Sequence, residues 1–115
     1  MAKKRLLSTL GTGLALVMAV SGASAAGLSD GVLKVGVMTD MSGAYADLSG
    51  PGSALAAQMA IEDYGGMVLG KKIEFTSADH QNKADIAANK AREWFDADKV
   101  DVIADLSTSS TALAV

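Results

Sequence analysis

The spacing of hydrophobic and polar residues changes several times along this 115-residue chain. From Val32 to Met38 the apolar positions fall on both faces, the pattern of a strand covered on each side. Lys72 to Ser77 alternates instead, with Ile73 and Phe75 set against Lys72, Glu74 and Thr76, which predicts a strand at a sheet edge. A third run, Val100 to Leu106, is apolar except at Asp101 and Asp105 and belongs beside the first. Between these runs the apolar period becomes helical. Ala54, Ala57, Ile61 and Tyr64 define one helix, starting near Ser49 or Gly50 with Pro51 in its first turn and stopped by Gly65-Gly66. Ala84, Ala87, Ala88, Ala91, Trp94 and Phe95 define a second, with Asn82 as its N-terminal cap.

The order strand, helix, strand, helix, strand predicts an α/β fold, a parallel sheet joined by crossover helices. Right-handed crossovers then set the spatial order as second, first, third, or 2-1-3. No repeat or low-complexity tract interrupts the pattern.

The first residues have a different organisation. Lys3, Lys4 and Arg5 precede an apolar stretch from Leu6 to Val20, and Ala23-Ser24-Ala25-Ala26 follows as a small-residue cleavage site. This is the layout of a secretory signal peptide over residues 1–26. A membrane span needs roughly 20 apolar residues, and this stretch is shorter and carries Ser8, Thr9, Gly11, Thr12 and Gly13. Cleavage leaves residues 27–115 as the mature domain. Its loss of three basic and no acidic side chains moves the formal charge from −3 to −6. That balance offers no basic footprint for nucleic acid. With no cysteine, the product has neither disulfides nor a lipid-attachment residue.

Motif matches with catalytic meaning fail on their context. Gly65 and Gly70-Lys71 have the spacing of a phosphate-binding loop, but Lys72 stands where a magnesium-holding hydroxyl belongs, and the segment runs from helix to strand. Gly50-Pro51-Gly52 begins like a dinucleotide fingerprint, yet Leu55 takes the third glycine position. His80 is the only histidine, and with Asp79 and Asp85 it makes a poor metal set, so no metal and no cofactor are expected. The serines lack a Gly-x-Ser-x-Gly turn. No catalytic residue emerges.

Two hydroxyl-rich turns remain. The first strand opens onto Thr39-Asp40-Met41-Ser42-Gly43, and the third onto Ser107-Thr108-Ser109-Ser110-Thr111. In an open α/β sheet, ligands sit at the carboxyl ends of the strands, so both turns border one crevice. The second turn also begins a helical stretch, Thr111 to Val115, and five consecutive hydroxyls exceed what capping requires. Unpaired amides beside hydroxyls suit a small anion such as a carboxylate.

The order Val35-Gly36-Val37, Met41-Ser42-Gly43, Gly65-Gly66, Leu69-Gly70-Lys71-Lys72-Ile73-Glu74, Ala78-Asp79 and Val102 to Thr111 resembles the amino-terminal part of the branched-chain amino-acid-binding proteins of ABC importers, over residues 31–115. The resemblance implies an incomplete first lobe of a two-lobe type I periplasmic binding protein, monomeric, that delivers its solute to an inner-membrane permease. It implies ligand contacts at Ser107, Thr108 and Ser109, with Thr108 at the hydroxyl position matched most directly, and a near wall at Ser42, Gly43 and Tyr45. The leucine-binding pattern has a tyrosine where Leu48 stands here, which keeps an aromatic or other organic acid open beside leucine, isoleucine or valine. A chain ending at Val115 is expected to be truncated and to bind solute weakly or not at all by itself. Two other classes are weighed against this one: a receiver-like signalling domain using Asp40 and Asp105, and a secreted α/β hydrolase.

Overall fold

The computed structural model describes residues 27–28 and 30–115. The export signal read from residues 1–26 lies outside them. The elements are β1 (Leu33–Thr39), α1 (Gly50–Asp63), β2 (Met67–Val68), β3 (Lys71–Asp79), α2 (Ala84–Glu93), β4 (Val102–Ala104) and α3 (Ser109–Ala114). A wider π-type turn, Trp94–Asp98, continues α2.

The sheet order is β2-β3-β1-β4. β1 runs parallel to β3 on one side, from Leu33 opposite Ile73 to Thr39 opposite Asp79, and to β4 on the other, with Val35 opposite Val102. The three parallel strands therefore take the order expected from right-handed crossovers. β2 was not expected. It pairs antiparallel with β3 through Met67 and Lys72, and the turn between them has Leu69 and Gly70 both at positive φ, 49° and 73°. Two positive-φ residues are what a tight hairpin needs to match the strands' twist.

One face of the sheet carries the core. Met38, Ala87, Ala91, Trp94 and Val100 are buried together, with Ala78, Ile103 and Leu106 packed against them. Gly36 makes this packing possible: a Cβ there would lie 2.5 Å from the Trp94 ring. Side chains alternate across a strand, so Thr39 faces the other way, and its hydroxyl meets Ser49 at the start of α1. α1 and α2 thus cover opposite faces.

Four local expectations are corrected. Asn82 is not the cap of α2; Gln81 and Asn82 both turn left-handed, at φ 52° and 55°, and extended Lys83 occupies the capping position without a side-chain bond. Phe95 and Tyr64 leave their stripes, at 45% and 67% exposure, because each lies just past the last turn of its α-helix. The third strand is three residues long and ends at Ala104, since Asp105 sits at φ 61° and breaks the extended path. The last helix begins at Ser109, two residues earlier than its apolar residues suggested.

The strand predicted at a sheet edge, β3, lies inside the sheet, because β2 pairs with its first two residues. β3 carries Lys71, Lys72, Glu74 and Thr76, whereas β4, on the other side, presents Val102 at 44% exposure and has no partner beyond it among the described residues.

Candidate functional site

The carboxyl ends of β3, β1 and β4 form a polar rim. At its centre is Thr39, fully buried, whose hydroxyl donates to Ser49 Oγ at 2.9 Å and lies 3.5 Å from Ser107 Oγ. Ser49 passes its own proton to the Tyr45 carbonyl at 3.3 Å. One side chain thus links the first turn, the start of α1 and the turn after β4.

Two aspartates shape the loop that follows β1. Asp40 is buried and accepts the Gly43 amide at 2.7 Å on one oxygen and the Tyr45 amide at 3.0 Å on the other. This local closure is the usual role of an aspartate at the head of a turn. Gly43 is required at its position, because a Cβ there would come within 2.6 Å of both carboxylate oxygens. Asp79, from β3, accepts the Met41 amide at 3.0 Å, the Gln81 amide at 2.7 Å and the Ser42 hydroxyl at 2.6 Å. Burial raises the Asp79 carboxyl pKa, but the donors from Ser42, Met41 and Gln81 outweigh it and hold the group below its ordinary value.

After β4, the turn is closed by hydroxyls. Thr111 is buried; its hydroxyl donates to the Thr108 carbonyl at 2.9 Å and stands 2.8 Å from Thr108 Oγ1. With its proton on the carbonyl, Thr111 accepts from Thr108. Thr108 is the N-cap of α3 and makes no side-chain bond to the helix amides. Ser109 and Ser110 are exposed. At six residues, α3 supplies little dipole, so the hydroxyls rather than the helix end give this turn its chemistry.

The sequence-derived residues fall on this rim as follows. Ser107 stands beside Thr39; Thr108 and Ser109 follow it; Ser42 is tied to Asp79, and Tyr45 to Asp40 through its amide. No direct bond joins the Ser42–Tyr45 loop to Thr108 or Ser109 among the described residues. The aspartates weighed for signalling do not pair: both Asp40 oxygens are taken by amides, and no group of three His, Cys, Asp or Glu side chains that could hold a metal ion occurs among the described residues. His80 is buried, and its Nδ1 accepts the Asn82 amide at 2.9 Å, so it serves its own turn rather than a serine.

Sequence reasoning missed Thr39, Ser49 and Asp79 as organisers of the rim. Thr39 ends a buried strand with a polar residue, and that signal was available. Two concavities, about 390 and 540 Å³, lie elsewhere: one is lined by Lys34, Glu74 and Asp98, the other by Leu28, Val68 and Leu69. The rim itself is an open edge.

A family profile described as periplasmic binding protein matches residues 32–115. The crystal structure of a periplasmic binding protein from Burkholderia mallei is 53% identical over 74% of this chain and 23% of its own, with a TM-score of 0.71. A branched chain amino acid ABC transporter periplasmic ligand-binding protein from Burkholderia xenovorans LB400 is 55% identical over 71% of this chain and 22% of its own, at a TM-score of 0.68. A solute binding protein of an ABC transporter from Rhodopseudomonas palustris BisB5, in complex with 3,4-dihydroxy benzoic acid, is 34% identical over 72% and 23%, at 0.64. No curated protein matches significantly. The chain spans less than a quarter of the length of these solved relatives. The profile spans most of the chain and the fold agrees with it, and the chain belongs to the periplasmic binding protein family.

Proposed function

We propose that this chain provides the first-lobe rim of an extracytoplasmic solute-binding protein of an ABC importer, with an amino acid or a small aromatic or other organic acid as solute. The observation that carries the reading is the convergence of hydroxyls from separate segments at the carboxyl edge, where Thr39 meets Ser49 and Ser107. Relatives named for branched-chain amino acids and one holding a dihydroxybenzoate support both solute classes. In this reading Ser107, Thr108 and Ser109 face the solute's carboxylate, and Ser42 and Tyr45 form the near wall. Thr108 turns its proton from Thr111 to the incoming carboxylate by rotation about one bond. A charge-assisted bond is worth about 1.5–3 kcal/mol against about 1 kcal/mol for the neutral one it replaces. The protein binds and hands over its solute to an inner-membrane permease without transforming it, after export to the periplasm and removal of residues 1–26.

Solute in such a site is mostly enclosed, and these residues account for one wall. Binding by the chain alone is therefore expected to be weak. Amide NMR titration with leucine and with 3,4-dihydroxybenzoate tests the reading. Shifts confined to residues 39–49, 79–82 and 105–111 are expected. Shifts elsewhere, or none with either acid, would sink it, and micromolar affinity would overturn the need for a second wall.

A further inference from the structure

Ser42 is exposed on the rim, and its hydroxyl lies 2.6 Å from Asp79 Oδ2. The other Asp79 oxygen already takes the Met41 and Gln81 amides. These donors keep the carboxyl ionised at neutral pH, and an ionised carboxylate has no proton to give. The direction of the bond is therefore settled: Ser42 donates and Asp79 accepts. A hydroxyl has one proton and two lone pairs, so Ser42 meets anything entering from the open side as an acceptor only.

Thr108 provides the contrast. Its proton is also engaged, but by the neutral oxygen of Thr111. Bonds to ionised acceptors are shorter and roughly twice as strong as neutral ones, so an incoming carboxylate draws the Thr108 proton away more readily than the Ser42 proton. The negative charge of Asp79 also disfavours a carboxylate beside Ser42. The two turns thus differ in sense, one able to donate and the other arranged to accept.

We propose that Ser42, oriented by Asp79, recognises a hydrogen-bond donor on the solute, an ammonium or a hydroxyl group, and so selects amino and hydroxy acids over bare carboxylic acids of the same skeleton. The inference rests on the solute-binding reading and adds the substrate class to it. Asp79 acts here as a positioning residue: it does not touch the solute but sets which way Ser42 points.

The test uses matched pairs on the full chain, followed by amide NMR: leucine against 4-methylpentanoate, and 3,4-dihydroxybenzoate against benzoate. Leucine is expected to bind about tenfold more tightly than 4-methylpentanoate, the size of one charge-assisted hydrogen bond, and 3,4-dihydroxybenzoate about fivefold more tightly than benzoate, the size of one neutral bond. Ser42→Ala is expected to bring the ratio within each pair close to one. Asp79→Asn supplies a readout that loss of structure does not mimic. Its carbonyl oxygen still accepts the two amides, while its NH₂ donates to Ser42 and frees the serine proton, so the preference should turn toward the bare acid. A ratio that persists in Ser42→Ala, or that is near one in the wild type, overturns the inference while solute binding stands. Absence of any rim shift with all four acids removes the solute-binding reading and this inference with it.

Discussion

The ring of Trp94 lies directly over the α-carbon of Gly36, so close that a single added methyl would reach within 2.5 Å of it. The contact joins the end of α2 to the middle strand and closes the core around Met38. Gly36→Ala is expected to destabilise the domain by about 1–3 kcal/mol, because a rigid indole can yield only by moving α2. Trp94→Ala leaves a cavity over Gly36, at about 3–5 kcal/mol. Urea denaturation of each variant measures both, and wild-type stability in Gly36→Ala would show that the helix is not seated on β1.

Asp40 orders the loop after β1 from a fully buried position. Replacing it by Ala removes the acceptor of the Gly43 and Tyr45 amides, which lie on an exposed loop, at about 0.5–1.5 kcal/mol for each net hydrogen bond lost. Hydrogen exchange should accelerate at these two amides first. Gly43→Ala is expected to give the same local signature by pushing the carboxylate away.

Asp79 links stability to pH. Its folded pKa is depressed, so its stabilising contribution is fully present above the unfolded value near 3.9 and is lost as pH falls through the lower folded value. Acid unfolding followed by circular dichroism should begin below about pH 4 in the wild type. Asp79→Asn should flatten that part of the profile.

Thr39→Val keeps the shape of the side chain and removes the hydroxyl that joins Ser49 to the Ser107 turn. A loss of about 1 kcal/mol is expected, since one net hydrogen bond disappears at constant volume. If melting is unchanged and the Ser49 and Ser107 resonances stay in place, the rim is held by something other than Thr39.

Much of this architecture is legible along the chain, and the illegible parts share a cause. The run Val35 to Met38 announces a central strand because both of its faces are covered, and Ile73 and Phe75 announce β3 by their alternation. β2 has only Met67 and Val68, too short for any period, and the positive φ of Leu69 is imposed by the hairpin rather than by leucine's own preference. Asn82 reads as a cap, yet the left-handed conformation that asparagine also tolerates won, because His80 Nδ1 takes its amide. The rim divides in the same way. Its serines and threonines stand out as a cluster after Leu106. The bonds from Asp79 to Met41 and Ser42 bridge nearly forty residues, and no local pattern encodes such a meeting.

The contrast between the two sides of the sheet biases how it can widen. On the β3 side, charged and hydroxyl side chains, with Lys72 and Glu74 already paired to each other, discourage a newcomer, and β2 covers the first residues. β4, paired with β1 on one side, is three apolar residues long, and no strand lies beyond it among the described residues. A polypeptide that joins this sheet therefore finds its apolar approach along β4 and a charged one along β3.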